Sequence, residues 1–178
     1  MPRLSVVVAS TRPQRIGHLV AQWVVERVPG DFETTVHDLR ELALPFLDEP
    51  GQPADGHYVH DHTRRWSAAM RATDALVLVM PEYNRGYNAA LKNAIDYLYA
   101  EWDGLPVACV GYGWRGAHFA RSALRQTLER LKMTVVEAPG LAFEQTLTQQ
   151  GEVTAGEDVE AELAAMFTAL REAARVPA

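Results

Sequence analysis

Two polar segments of this 178-residue chain hold residue types and spacings that chemistry uses. The first is Pro81-Glu82-Tyr83-Asn84-Arg85-Gly86-Tyr87-Asn88, directly after the apolar run Leu76-Val77-Leu78-Val79-Met80. A polar, aromatic loop that leaves the carboxyl end of a buried strand and opens a helix sits where open α/β sheets bind ligands. Pro81 lacks an amide hydrogen and is expected to stop the strand ladder. Gly86 is expected to supply a positive φ or to let backbone approach a flat ligand. The second segment is Ser10-Thr11-Arg12-Pro13-Gln14-Arg15-Ile16-Gly17, with two hydroxyls, two arginines and the amino end of a helix. Free amides there carry partial positive charge and suit a phosphate, to which Arg12 and Arg15 can add charge-assisted hydrogen bonds. A plain helix cap at Ser10 or Thr11 with solvated arginines explains the same residues. The segment matches neither the triphosphate-binding nor the dinucleotide-binding glycine pattern.

Other groupings are weaker. His57, His60 and His62 with Asp61 have no paired cysteine or second cluster and read as a solvated helix entry, so no metal ligand is assigned. Glu82 and Asp96 are too far apart for an acid/base pair, and Asp96 stands four residues after Lys92, as a helical ion pair does. Ser10 lacks the strand-turn-helix elbow of a hydrolase nucleophile. Cys109, in Pro106-Val107-Ala108-Cys109-Val110, reads as a buried apolar residue, and a single cysteine excludes an internal disulfide.

The elements around these segments alternate. Leu4–Ala9 reads as a first strand. Ile16, Val20, Val24 and Val28 mark a helix that Pro29-Gly30 ends. Residues 33–39 read as a second strand near an edge. Residues 40–57, with three prolines and two glycines, form an aperiodic functional or oligomer-facing loop. A helix over about 60–72 precedes the strand 74–80, and Leu91, Ala94, Ile95 and Leu98 give the next helix one apolar face. A strand at 106–112, a helix near 117–131 and a strand at 133–137 follow. Thr154 and Glu157 have capping-box spacing and place the start of the last helix near residue 155. Tyr97, Tyr99 and Trp102 suit either core or a subunit interface. Strict alternation implies a parallel sheet with helices on both faces. Five strands fit a flavodoxin-like order, 2-1-3-4-5, in one domain spanning 1–178.

Composition narrows the function classes. Net charge is −6, which argues against a general nucleic-acid binder. No apolar run approaches the ~20 residues a membrane helix needs, and no leader pattern opens the chain, so a cytoplasmic protein is expected.

Taken together, Ser10-Thr11-Arg12-Pro13-Gln14-Arg15-Ile16-Gly17, Pro81-Glu82-Tyr83-Asn84-Arg85-Gly86 and Leu91-Lys92-Asn93-Ala94-Ile95-Asp96 resemble the NAD(P)H-dependent FMN reductase family of flavodoxin-like quinone and flavin reductases. Gly111-Tyr112-Gly113-Trp114-Arg115-Gly116 stands where that family has a further glycine-rich loop, and the resemblance runs from residue 4 to about 142. It implies that Ser10, Arg12 and Arg15 with the amides of Ile16 and Gly17 hold the FMN phosphate. It implies that Pro81, Glu82, Tyr83, Asn84 and Gly86 lie along the isoalloxazine, with Gly111, Gly113 and Gly116 at its other edge. Ala117 departs from the second glycine many relatives keep, so its methyl is expected to narrow that approach. The implied activity is hydride transfer from NADPH or NADH to FMN and then, ping-pong, to a quinone, flavin, azo compound or similar small acceptor. The flavin carries the chemistry and no catalytic side chain is assigned. Arg85, Tyr83 and Trp114 are expected to contact the second substrate, and the resemblance implies a homodimer or homotetramer. A flavodoxin-like electron carrier or flavin-sensing module without nicotinamide turnover is the alternative.

Overall fold

The computed structural model describes residues 1–174; residues 175–178, which the single-domain reading includes, lie outside the described residues. Its centre is a run of three β-branched and leucine-rich segments, β1 (Arg3–Val8), β3 (Ala75–Tyr83) and β5 (Pro106–Gly113). With β2 (Glu33–Asp38) outside β1 and β6 (Thr134–Val136) outside β5, they form a parallel spine in the order β2-β1-β3-β5-β6. That is the expected flavodoxin-like order, but the sheet has 7 strands rather than five. The two additions are β4 (Gly86–Tyr87), antiparallel to the end of β3, and β7 (Gly140–Ala142), parallel to the end of β5.

The expected fifth strand is therefore split. β6 pairs with Pro106–Ala108 and β7 with Gly111–Gly113, with Glu137, Ala138 and Pro139 between them. Pro139 has no hydrogen to give a ladder, and the Arg121 guanidinium donates to the Ala138 carbonyl in the break. Pro81 was expected to stop β3 and does not: it lies in register with Tyr112, and the strand continues to Tyr83. The reason is its side of the strand. The Val79 carbonyl accepts from the amide of Ala9, one residue past β1. Pro81 faces the same side two residues on, past the end of β1, where the Ala9 carbonyl accepts from the Asn88 side-chain amide instead.

Apolar residues alternate between two cores. Leu4, Val6, Val8, Val77, Val79, Ala108 and Val110 face α1 (Gly17–Val25) and α6 (Glu157–Ala173). Val7, Leu76, Leu78, Met80, Val107 and Cys109 face α3 (Asp61–Arg71), α4 (Ala89–Asp96) and α5 (His118–Arg130). Each fully buried Leu or Val contributes roughly 1.5–3 kcal/mol. Burial pushes the Cys109 thiol up to about 12, so it packs as an apolar residue and is not a nucleophile at neutral pH.

The 40–57 segment is tied down at several points. It holds the short helix α2 (Leu39–Leu42) and a turn at Pro53–Asp55. The Asn93 amide donates to the Pro45 carbonyl at 2.7 Å and accepts from the Leu47 amide at 3.0 Å. Asp48 accepts from the Tyr97 hydroxyl at 2.9 Å and lies 3.0 Å from His62, whose ring stacks on His60. His57 is exposed. Tyr97 and Trp102 belong to the core, whereas Tyr99 is partly exposed. Lys92 pairs with Asp96 at 2.7 Å, as its spacing predicts. The last helix begins at Glu157 on an N-cap at Gly156, because the Thr154 amide is bound to the Thr146 carbonyl instead of opening a capping box.

Close packing of the split edge depends on Gly116. Its φ is +58°, and a Cβ there would stand 2.8 Å from the Gly140 carbonyl carbon in β7. Gly116→Ala is expected to destabilise the fold by about 1–3 kcal/mol, read as a lower urea midpoint; an unchanged midpoint would show that β7 is not seated by this contact.

Candidate functional site

Parallel strands deliver all their carboxyl ends to one edge, and three connections meet there: β1 to α1, the β3–β4 hairpin, and β5 to α5. Between them lies an open cleft. Arg12, Arg15 and Ile16 line it from the first connection, Pro81, Glu82 and Tyr83 from the second, and Tyr112, Gly113 and Trp114 from the third. Phe143 and Gln149 complete it from the segment after β7.

The first connection gathers helix-opening amides, a buried hydroxyl and two arginines. The amides of Ile16, Gly17 and His18, at the opening of α1, have no hydrogen-bond partner among the described residues. The Ser10 hydroxyl is fully buried, faces the Tyr112 hydroxyl over Gly17, and completes no hydrogen bond of good geometry. A Cβ on Gly17 would lie 2.3 Å from Ser10 Oγ and 2.5 Å from the Tyr112 oxygen, so only glycine fits under the turn. Burial chiefly pushes the Tyr112 hydroxyl up to about 12. It stays protonated and can donate.

The two arginines divide. Arg12 is exposed and makes only a 3.5 Å contact with the Gln14 carbonyl, which leaves its guanidinium available to a ligand. Arg15 is half-buried and committed: it forks onto both oxygens of Asp38 at the end of β2 and donates to the Ser10 carbonyl at 2.6 Å. Its hydrogen bond to Asp38 raises its own pKa. Burial works against ionising Asp38, but the Arg15 fork and the Arg40 amide outweigh it and hold the carboxyl below its ordinary value.

The second connection is a two-residue hairpin. Tyr83 pairs with Gly86, and the positive φ values fall on Asn84 (50°) and Arg85 (63°), the two central positions of a type I′ turn. Gly86 therefore does not supply the positive φ expected of it. A Cβ there would meet only the Tyr83 carbonyl, at an ordinary 3.6 Å. The Arg85 guanidinium stacks on the Phe119 ring at 4.8 Å, outside the cleft lining. The Glu82 carboxylate accepts from the Ala120 amide at 3.0 Å, capping α5 and fixing the second connection to the third. Its backbone remains at the cleft.

The three glycines of the third connection do different jobs. Gly113, at φ 153°, lines the cleft. Gly111 lies under α5, where a Cβ would come within 2.7 Å of the Ala117 methyl, and Gly116 lies against β7. The Ala117 methyl points into the core, fully buried, so it does not narrow the cleft as expected. It costs backbone strain instead, at φ 54°. Trp114 is exposed and sets its ring edge-on to Phe143 at 5.5 Å.

Sequence reasoning missed Tyr112, Phe143, Gln149 and Asn88. Asn88 is buried, donates to the Ala9 carbonyl at 2.7 Å and leaves its own carbonyl oxygen unpaired below the first connection. The polar run between Ala142 and Gly151, opening on an aromatic, was the available signal for Phe143 and Gln149. A flat ring with an anionic tail matches this cleft: free amides and Arg12 at one end, aromatic walls and a glycine backbone at the other.

The profile of the family described as NADPH-dependent FMN reductase matches residues 2–148. The chain is 37% identical over 157 residues to an NAD(P)H-dependent FMN reductase of Schizosaccharomyces pombe, covering 85% of this chain and 78% of that protein. It is 31% identical over 143 residues to a quinone reductase of Pseudomonas putida, covering 76% and 74% of the two chains. A flavoenzyme NAD(P)H:(acceptor) oxidoreductase from Paracoccus denitrificans shares the fold, with a TM-score of 0.78 at 21% identity over 98% of this chain and 100% of the other.

The Arg15–Asp38 clamp carries a pH signature. Asp38 is depressed in the folded state, so its contribution is full above the ordinary aspartate value of 3.8 and is lost as pH falls through and below it. In urea unfolding across that range, the stability gap between wild type and Asp38→Asn is expected to shrink with falling pH. A gap independent of pH counts against the clamp.

Proposed function

Since this chain belongs to the NADPH-dependent FMN reductase family, we propose that its three-loop cleft is the FMN site and that a small oxidised molecule shares the open face with the nicotinamide. The protein is an FMN-dependent NAD(P)H oxidoreductase. The chemistry that bound FMN would supply is two-electron transfer from the reduced nicotinamide to an acceptor.

The chain's own residues perform the positioning. Arg12 and the amides of Ile16, Gly17 and His18 hold the phosphate, with the buried Ser10 hydroxyl beneath them. Arg15 holds the shape of that loop through Asp38 and meets the phosphate only through the backbone it fixes. Pro81, the Glu82 backbone, Tyr83 and Asn84 run along one edge of the ring, with Gly113 at the other. Gly86 closes the hairpin; Gly111 and Gly116 shape the third connection from beneath. Tyr83 and Trp114 flank the space where substrates exchange, and Arg85 contributes from its stack on Phe119. No side chain is asked to act as acid or base. Rate comes from holding two flat partners face to face. The observation that carries the assignment is the convergence of a free helix amino end, an uncommitted arginine and aromatic walls in one cleft.

The acceptor class we propose is a quinone, flavin or azo compound; curated relatives include the quinone reductase above and an NADPH azoreductase of a Bacillus species. We further assign the chain to a single domain, a cytoplasmic location, and a homodimer or homotetramer. Among the described residues no helix is long and apolar enough to cross a membrane. Phe46, largely exposed beside an apolar groove of about 490 Å³ that includes Leu39, Leu44 and Ala90, supports an oligomer face in the 40–57 segment. No observation favours the electron-carrier or flavin-sensing alternative.

NADPH or NADH added anaerobically to the FMN-loaded protein is expected to bleach the flavin band within minutes; no bleaching with either donor would overturn the reductase reading. Arg12→Ala is expected to weaken FMN binding roughly tenfold with unchanged unfolding midpoint. Arg15→Ala should lower the midpoint as well, because Asp38 loses its partner. Fluorescence titration and urea unfolding separate the two.

A further inference from the structure

With Arg15 locked onto Asp38, the first connection offers only one arginine to a phosphate dianion. The segment after β7 supplies another donor. Phe143 and Gln149 line the cleft with Arg12 and Ile16, and the segment carrying them is folded. The Phe143 amide donates to the Gly113 carbonyl at 3.0 Å, the Glu144 amide to Leu147 at 3.0 Å, and the Thr148 amide to Glu152 at 2.8 Å. Its far end is seated on the first turn of α1: Gly151, at φ +95°, lies so close that a Cβ would stand 2.6 Å from Leu19 Cδ1 and 3.0 Å from Ile16 Cβ. One end thus grips the third connection and the other the phosphate end. Gln149 stands two residues before the seated glycine, and its amide makes only a 3.4 Å contact with Glu144.

We propose that residues 143–151 form a strap across the cleft and that Gln149 is a positioning residue for the cofactor's phosphate; this rests on the flavin reading above. A neutral amide suits that place. It donates to the dianion without bringing the counter-charge that would compete for Arg12, and the rigid strap presents it at little ordering cost. The strap also explains why the sheet edge is split, since β7 carries the chain past Gly113 in the direction of the cleft.

The test compares FMN with riboflavin, which lacks the phosphate, by quenching of flavin fluorescence on titration with apoprotein. Gln149→Ala is expected to weaken FMN roughly tenfold while changing riboflavin by no more than about twofold. Gln149→Glu should weaken FMN further, increasingly as the phosphate completes its second ionisation near pH 6. The Gln149 side chain is exposed, so the unfolding midpoint of both variants should stay at the wild-type value. Wild-type affinity for FMN in both variants would overturn the strap assignment and leave the flavin reading standing. Equal weakening of both ligands would overturn the phosphate role of Gln149. A wild-type protein that binds neither flavin removes the flavin reading and this inference with it.

Discussion

The central strands are buried on both faces, and that two-sided burial fixes everything downstream. Val7 faces one core while Val6 and Val8 face the other, and Leu76, Leu78 and Met80 alternate in the same way with Val77 and Val79. A one-residue slip of β3 against β1 would exchange its entire complement between the cores. Register is therefore held by many side chains at once. The points at which β1, β3 and β5 release the chain at the carboxyl edge follow from it. So does the fit of Pro81, whose missing hydrogen is harmless because β1 ends there and Asn88 serves the Ala9 carbonyl.

At that edge the sequence's charged and polar groups divide into those that build the cleft and those left for a ligand. Arg15 and Asp38 join the first connection to β2, and Glu82 joins the hairpin to the start of α5. These bonds satisfy charges that would otherwise be costly to bury, and they hold the walls still. Among the described residues the amides of Ile16, Gly17 and His18 and the Ser10 hydroxyl find no partner, and Arg12 makes only one long contact. A ligand with an anionic end answers that imbalance. The glycines show the same division: Gly113 opens the cleft, whereas Gly17, Gly111 and Gly116 admit neighbours beneath it.

Preorganisation of this kind is what flavin chemistry needs from a protein. The cofactor supplies the redox step, and the chain contributes position, exclusion and an environment for the ring. A hairpin with two positive-φ residues, one an arginine stacked on Phe119, is a stiff wall rather than a mobile lid. The strained Ala117 likewise shows backbone held in an unfavourable conformation by its surroundings.

The sequence by itself determined the fold class and the two main segments of the cleft. Hydrophobic alternation and the order of strands and helices are local patterns, and a phosphate-type loop and a Pro-Glu-Tyr-Asn loop each lie within a few consecutive residues. It also placed Lys92 with Asp96 and Cys109 in the core, since helical spacing and an apolar run are visible in one dimension. Tertiary structure alone decided which of two arginines is free, because Asp38 lies 23 positions from Arg15 and meets it only when β2 pairs beside β1. It decided that positive φ falls on Asn84 and Arg85 rather than Gly86, and that the last strand breaks at Pro139 to carry Phe143 and Gln149 to the cleft. A residue's type states what it can bind. Whether it is still free to bind is settled by partners that the chain brings in from elsewhere.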